Sequence, residues 1–394
     1  MTNVVKKHEF LLPFARTFTR GMDDAFQSIP FQSSEMFGDE GSPALASPST
    51  WSEEAVSVMA EAAHAGVPAD LRANEENTVP SWLWRHRSPS QNPRLETEAD
   101  LRDIINRIVA SAAAKAWKLD LFTSEKHACA FYDEMRFALM QRHIAITPEV
   151  VASWGLSWAY GLDETPKAEH PASAAAPEIT NASIDALIGK TKEASSAKLW
   201  KKLFAVHGKD AVSAPLRFSD IASDWHSATP NPARAAIDVM ALRHNDGRVN
   251  IDALRQAARM LTILLDLHDR HDVTVGIANL APLLMALGLP YDSDAARAMA
   301  ASLAALITAE CTATSAEMAA LRGMSDAFSA NRELVMRSLR NHRRAVYGDG
   351  NDYEKLSVLP APLPLKNCPD LALVSEAQRR WDDALGLARA FGLR

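Results

Sequence analysis

The sequence predicts a mainly α-helical fold, and three observations carry that expectation. Apolar residues recur at helical spacing between clear start and stop signals. Alternating runs of β-branched residues are scarce. One proline- and alanine-rich stretch divides two helical halves. The chain has 394 residues, 47% hydrophobic and 23% charged, a balance suited to a globular protein with a sizeable core.

The helices follow in order. In "WSEEAVSVMAEAAHAG", Thr50 and Glu53 form a capping-box pattern, and the helix is expected to stop at Gly66, ahead of Pro68. Thr97 and Asp100 open a second helix, in which Leu101, Ile104, Ile105, Ile108 and Ala112 share a face. Thr123 or Ser124 caps a third, with Ala128, Phe131, Tyr132, Met135 and Leu139 as its buried stripe. "ETPKAEHPASAAAPEIT" then reads as an exposed linker. The expected organisation is an N-terminal helical region 1–163, a Pro/Ala-rich linker 164–180 and a C-terminal helical region 181–394.

In the second half, Asn250 or Asp252 starts a helix with Leu254, Ala257, Ala258, Leu261, Leu264 and Leu265 on one face. Two further helices meet at "LPYDSD". Gly288 and Pro290 stop the first, and Asp292 or Ser293 caps the second. Their stripe of Leu283, Leu284, Leu287, Met299, Leu303, Leu306 and Ile307 needs cover from the 250–267 helix or a second subunit. Asn331 caps "RELVMRSLRNHRRAVYG", closed by Gly348, and a last helix runs from about Val374 to Phe391. "LRFSDI" and "RAAIDVMAL" are the best strand candidates, and no internal repeat stands out.

A net charge of -7 argues against a dedicated nucleic-acid binder. Three unpaired cysteines, Cys129, Cys311 and Cys368, suit a reducing cytoplasm rather than a disulfide framework or a cysteine zinc site. The first residues lack the apolar core of a signal peptide, and the longest apolar run, Gly276 to Leu289, is too short to span a bilayer. A cytoplasmic protein with no membrane or direct nucleic-acid contact is therefore expected.

Several clusters could carry chemistry. His268 and His271 in "LHDRHD" lie one turn apart and resemble half a metal site, but a polar helix end explains them better, so no metal is assigned. Arg337, Arg340, His342, Arg343 and Arg344 read as the cationic last turns of a helix rather than a phosphate site. Trp82, Trp84 and His86 after Pro80 read as a loop pinned to the core rather than a stacking surface. Cys368 is the cysteine most expected to be exposed, and no glycine-rich phosphate loop is present.

Beyond these readings the chain resembles the class II, adenosylcobalamin-dependent ribonucleotide reductases. The likeness is collinear over "FARTFTRG", "WSEEAVSVMAEAAHAGVP", "EENTVPSWLWR", "FTSEKHACAFYDEMRFALMQRHIAITPEVVASWGLSWAYGLD" and "SDIASDWHS". It is densest in "LAPLLMALGLPYDSDAARAMAASLAALITAECTATSAEMA" and continues through "RNHRRAVYG", "YEKLSVLPAPLPLKNCPD" and "RRWDDALGLARAFG". The family's asparagine-serine-proline-glutamine-tryptophan segment meets Ile146, Thr147, Pro148, Glu149 and Val150 here.

The resemblance implies a ten-stranded α/β barrel, a radical cysteine, a general-base glutamate and a reducing cysteine pair. The 161–180 region carries the Pro/Ala-rich stretch where the family has half its barrel. "NPARAAIDVM" follows "DWHSATP" without the family's asparagine-x-cysteine-x-glutamate motif, and the family's phosphate loop and final cysteines would lie beyond Arg394. The expectation is thus a mainly α-helical remnant with few or no barrel strands. No catalytic residue is transferred, the cofactor-binding residues stay unknown, and the balance leans against an enzyme. The expected role is binding or regulation linked to nucleotide metabolism, with a protein partner, either a second copy or a complete reductase. The alternatives are a reductase component completed in trans by another chain, and a nucleotide- or cobalamin-binding module without turnover. No cofactor is expected; adenosylcobalamin enters only through the resemblance.

Overall fold

Side-chain caps set the starts of the long helices. In the computed structural model the described residues are 14–34, 45–162, 178–180, 217–219, 233–268, 273–356 and 359–394. The first helix, α1 (Glu53–Glu61), is capped by Ser52, whose Oγ accepts the amide of Ala55 at 3.4 Å, rather than by Thr50. It also stops short of Gly66. The His64 amide donates to Glu98 at 2.8 Å and the Glu98 amide to the His64 carbonyl at 3.0 Å, which draws the chain into an extended path.

Asp100 caps α2 (Leu101–Lys118) through the Arg102 amide at 2.8 Å, and all five residues of its predicted stripe are buried. Next come α3 (Glu125–Met140), α4 (Pro148–Ser153) and α5 (Leu156–Tyr160). Asn250 caps α6 (Ile251–Leu267), whose six predicted face residues are buried. After α7 (Leu280–Ala286), Ser293 caps α8 (Asp294–Arg322) through the Ala296 amide at 3.1 Å. The chain continues with α9 (Asp326–Ala330), α10 (Arg332–Val346) and α11 (Leu371–Phe391), the last capped by Asp370.

The predicted stripe over the α7–α8 turn is covered. Leu283, Leu284, Met299, Leu303, Leu306 and Ile307 are buried and Leu287 is half-buried. Helix α8 packs most extensively on α11 and also on α6, and α10 packs on α11. Each such fully buried side chain contributes roughly 1.5–3 kcal/mol. By length and mean hydropathy α8 is also long and apolar enough to cross a bilayer, but core helices meet that test too, and its Glu310 is buried in ion pairs.

The strands correct the helical expectation. Pairs form between β1 (Phe31–Ser34) and β2 (Leu45–Pro48), β3 (Ala65–Pro68) and β6 (Leu95–Thr97), and β4 (Arg72–Asn74) and β5 (Arg85–Arg87). Strands β8 (Glu178–Thr180) and β9 (Arg217–Ser219) run parallel. A three-stranded sheet holds β7 (Ile144–Ile146), β10 (Ala233–Asp238) and β11 (Val273–Ala278) in the order β11–β10–β7. Strand β10 is parallel to β11, with Ala233 opposite Val273 and Asp238 opposite Ala278, and antiparallel to β7. Helix α6 links β10 to β11, so the segment is a βαβ unit.

The fold is therefore mixed, not mainly α-helical. "LRFSDI" and "RAAIDVMAL" do form strands, and so does "VTVGIA", where Val273, Val275 and Ile277 alternate with small residues. The six residues run on into the apolar segment that reaches Leu289, which hides so short an alternation. The expected linker 164–180 lies outside the described residues except for Glu178–Thr180, which form β8.

By contact density the chain divides into one unit of Met1–Pro166, Ala233–Asp349 and Pro362–Arg394 and another of Lys167–Pro232 and Gly350–Ala361. In the first unit α2 and α3 both pack against α6, so residues on either side of the 164–180 segment share one core.

Candidate functional site

Helix α2 has two faces with different tasks. Its apolar face is buried, while Ser111, Lys115 and Lys118 recur at i, i+4 and i+7 on another face and line a cleft of about 570 Å³. The opposite wall comes from Trp154, Ser157 and Trp158 around α4 and α5, and the rim from Leu267 and His268 at the end of α6 and from Glu76 and Arg85.

The two tryptophans are held by a buried clamp. Arg107, 1% exposed on α2, donates to the carbonyls of Val151, at 2.7 Å, and Trp154. Gly155, at φ +82°, lets the corner close on α2, because a Cβ there would lie 2.2 Å from the Arg107 carbonyl oxygen. Glu98 neutralises Arg107 at 2.7 and 3.1 Å and accepts the Tyr160 hydroxyl at 2.7 Å. Burial and the Glu98 charge push the Tyr160 phenol far above its usual range.

Cations dominate the cleft. Lys115 Nζ donates to the Leu267 carbonyl at 2.8 Å, and Lys118 pairs with Glu76 at 2.5 Å, which holds the Glu76 carboxyl below its usual value. The Trp154 ring meets His268 edge-on at 4.4 Å between centroids, and Trp158 meets His86 edge-on at 5.9 Å. Burial, then Arg87, depresses the His86 imidazole.

A second place of interest is the C-terminal edge of the parallel strands, where α/β folds commonly bind ligands. Here it is closed on itself. Asp238, ending β10, accepts the Met240 and Ala241 amides at 3.0 and 3.1 Å with one oxygen and Asn279 Nδ2 at 2.7 Å with the other. Asn279 follows β11 at φ +58°. This clamp ties two strand ends and presents no nucleophile.

The three thiols are dispersed. Cys129 is half-buried on α3, and burial followed by Glu125 and Asp133 raises its pKa. Cys311 on α8 turns toward the Ala258 carbonyl, and burial pushes its thiol up to about 11. Cys368, expected to be exposed, is 5% exposed instead and sits 3.4 Å from Ser302 Oγ. Ser302 and Cys311 are nine residues apart on α8, about 13 Å along the helix. Cys368 and Cys311 therefore occupy different levels of the core.

The other clusters resolve into structural roles. His342 stacks on Trp381 at 5.2 Å, Arg343 pairs with Asp382, and Arg340 pairs with Glu333. Trp82 donates to Glu125 at 2.9 Å and Trp84 to the carbonyls of Glu76 and Val79, so both pin the loop as expected. His268 lies beside Trp154; His271 lies outside the described residues. Among the described residues, no group of three or more His, Cys, Asp or Glu is placed to hold a metal ion.

The residues missed by sequence reasoning are those of the cleft, His268 excepted, which the sequence offered only as half a metal site. They come from separate segments, and the only local signals were the polar i, i+4, i+7 face of α2 and the tryptophan pair in "WGLSW".

Comparison with known proteins places this architecture. Residues 41–142 match the family described as class II vitamin B12-dependent ribonucleotide reductase, and residues 251–394 match the ribonucleotide reductase barrel domain. The vitamin B12-dependent ribonucleotide reductase of Agrobacterium fabrum is 34% identical over 244 residues, covering 52% of this chain and 19% of that protein. That of Bradyrhizobium diazoefficiens is 32% identical over the same length and the same shares. That of Rhodopirellula baltica is 30% identical over 176 residues, 41% of this chain and 15% of the relative. The chain belongs to the vitamin B12-dependent ribonucleotide reductase family, and the match spans about a fifth of the length of its first relatives. The barrel-domain match contains β11, which further overturns the expectation of a remnant with few or no barrel strands.

The family implies adenosylcobalamin. The two described clefts, about 570 and 450 Å³, are of the size that holds a drug-sized ligand. A corrin with its nucleotide tail and adenosyl group is much larger, so neither cleft fits the cofactor and no step is derived through it.

Proposed function

We propose that this chain is a ribonucleotide-reductase-like protein without turnover of its own, with a binding or regulatory role linked to nucleotide metabolism. The observation that carries the reading is the placement of the thiols. The family's reaction needs one thiol as a radical and two as electron donors, gathered around one ribose. Here Cys129 lies on α3, Cys311 lies on α8, and Cys368, just before α11, packs against Ser302 at another level of α8. Two of the three have raised pKa values, which disfavours the thiolate needed for exchange. Positioning supplies much of an enzyme's rate, and dispersed thiols forfeit it.

The test is a reduction assay on the purified chain with adenosylcobalamin, a dithiol and each ribonucleotide. No deoxynucleotide above background is expected. Turnover lost on changing any one of the three cysteines to serine would refute the reading and identify the reactive thiol.

A second reading is a component completed in trans by a chain carrying further barrel strands. One observation favours it. Parallel strands are usually buried on both faces, yet Thr274 of β11 is exposed and Val275, Gly276 and Ile277 are only half-buried. Pull-down from the native cell with mass spectrometry separates the readings. A barrel-bearing chain recovered in fixed ratio supports completion; a complete reductase supports regulation.

A further inference from the structure

The cleft between α2, the α4–α5 corner and the end of α6 plays no part in the thiol argument, and its side chains call for an occupant. We propose that it binds a small planar aromatic anion, the ring against Trp154 and Trp158 and the acidic group toward Arg85 and Lys118.

Three features converge on that class of ligand. The first is charge. Among the lining residues, Arg85, Lys115 and Lys118 face a single acid, Glu76. Glu76 is taken by Lys118, and Arg85 on β5 makes no ion pair among the described residues. The lining thus carries two more cationic than acidic side chains, and an anion would settle beside Arg85, whose charge Glu76 only shares with Lys118.

The second is the aromatic wall. Trp154 and Trp158 come from one short corner that the Arg107–Gly155 contact fixes in place. Both rings meet their histidine neighbours in T-shaped rather than stacked contacts, so at least one face of each indole is not taken by its histidine. Preformed indole faces favour a flat ring over a flexible chain.

The third is an unanswered donor. The Trp158 indole N–H is buried without an acceptor, a state that native proteins rarely leave unexplained. An acceptor atom on the ligand would satisfy it. The volume of about 570 Å³ lies in the range of small-molecule sites.

The test is isothermal titration calorimetry of the full chain with four probes: AMP, 2-naphthoate, adenosine and inorganic phosphate. The expected result is binding of AMP or 2-naphthoate at least tenfold tighter than of adenosine or phosphate. The tighter of the first two tells whether the acidic group is a phosphate or a carboxylate. Lys118→Glu and Arg85→Ala, both at exposed positions where folding is not at stake, should each weaken that binding at least tenfold. Trp158→Phe should weaken it while leaving the melting temperature within a few degrees. Equal binding of phosphate alone, no binding of either aromatic anion, or affinity indifferent to both charge changes would overturn the proposal. None of these outcomes depends on whether the chain reduces ribonucleotides.

Discussion

The α6–α8–α11 layer and the β7–β10–β11 sheet are both apolar, but they reach stability differently. The helical layer closes on itself. Leu264, Leu303 and Trp381 are buried to 1% exposure or less, and the charged groups between the helices neutralise one another. Glu310 receives Arg255 at 2.8 Å and Arg380 at 2.8 and 2.9 Å, while Glu317 pairs with Arg259 and Arg380. The sheet is only partly covered: Ala235 and Ile237 of β10 are buried, while β11 at its edge stays half-buried. Apolar composition alone therefore does not decide burial. A helix satisfies its own backbone and needs only a partner for one face, whereas an edge strand needs a neighbour for its backbone and cover for two faces.

Leu303→Asp should break the comparison most severely. The residue has no exposure and no cation is described beside it, so a carboxylate there would be desolvated without compensation. A loss above about 4 kcal/mol, read as absence of a cooperative melt by circular dichroism, is expected. An unchanged melt would mean that the helical layer is not the stabilising core.

Glu310→Ala tests the charges rather than the packing. It removes the main partner of Arg380, which is 7% exposed and keeps only Glu317 at 3.2 Å and Asp383 at 3.4 Å, so the loss should approach the lower end of the about 3–5 kcal/mol that breaking a buried pair from one side costs. Chemical denaturation should show a lower midpoint with little change in slope. A loss under about 1 kcal/mol would indicate that the network behaves as a surface cluster.

The two regions also differed in how far they could be read from sequence. Caps at Asp100, Asn250 and Ser293 and the stripes of α2, α6 and α8 are local, so sequence spacing found them. The first helix is shorter than its sequence predicts, because the exchange between His64 and Glu98 just beyond it spans 34 positions and leaves no local mark. Strand β11 is hidden from the sequence because it pairs with residues 40 positions away, and its six residues include Gly276 and merge with the apolar segment that follows. The cleft was missed for the same reason on a larger scale: Lys115 meets Leu267 across 152 positions. Lysines on a helix face read as solvated until the opposite wall is known.

Acid should weaken both regions through their histidines. Burial lowers the pKa of His342, stacked on Trp381, and of His143, beside β7, although Asp238 partly opposes the second shift. Below the ordinary imidazole value of 6.5 the unfolded chain takes up protons that the folded chain refuses, so stability is full above that pH and falls as the pH drops through it. His342→Gln and His143→Gln should each flatten the slope of melting temperature against pH between about 6.5 and 5. The His342 change should do more, because no charged group offsets its shift. The reverse order would place the tighter burial in the sheet region.

The smallest effect on the isolated chain belongs to Thr274→Lys. Its side chain is already exposed on β11, so a solvated lysine costs no buried contact, and stability should change by no more than about 0.5 kcal/mol. Its value lies in what it does to a neighbour. Lysine on an edge strand discourages a second strand from pairing there. If another chain covers β11, the substitution should abolish co-purification of that chain while leaving the melting curve unchanged. If the partner is instead a complete reductase gripping another surface, recovery should match that of the unsubstituted protein. A drop in melting temperature of several degrees with no partner present would show that Thr274 is already covered within the chain, and the contrast between a closed helical layer and an open sheet edge would fall.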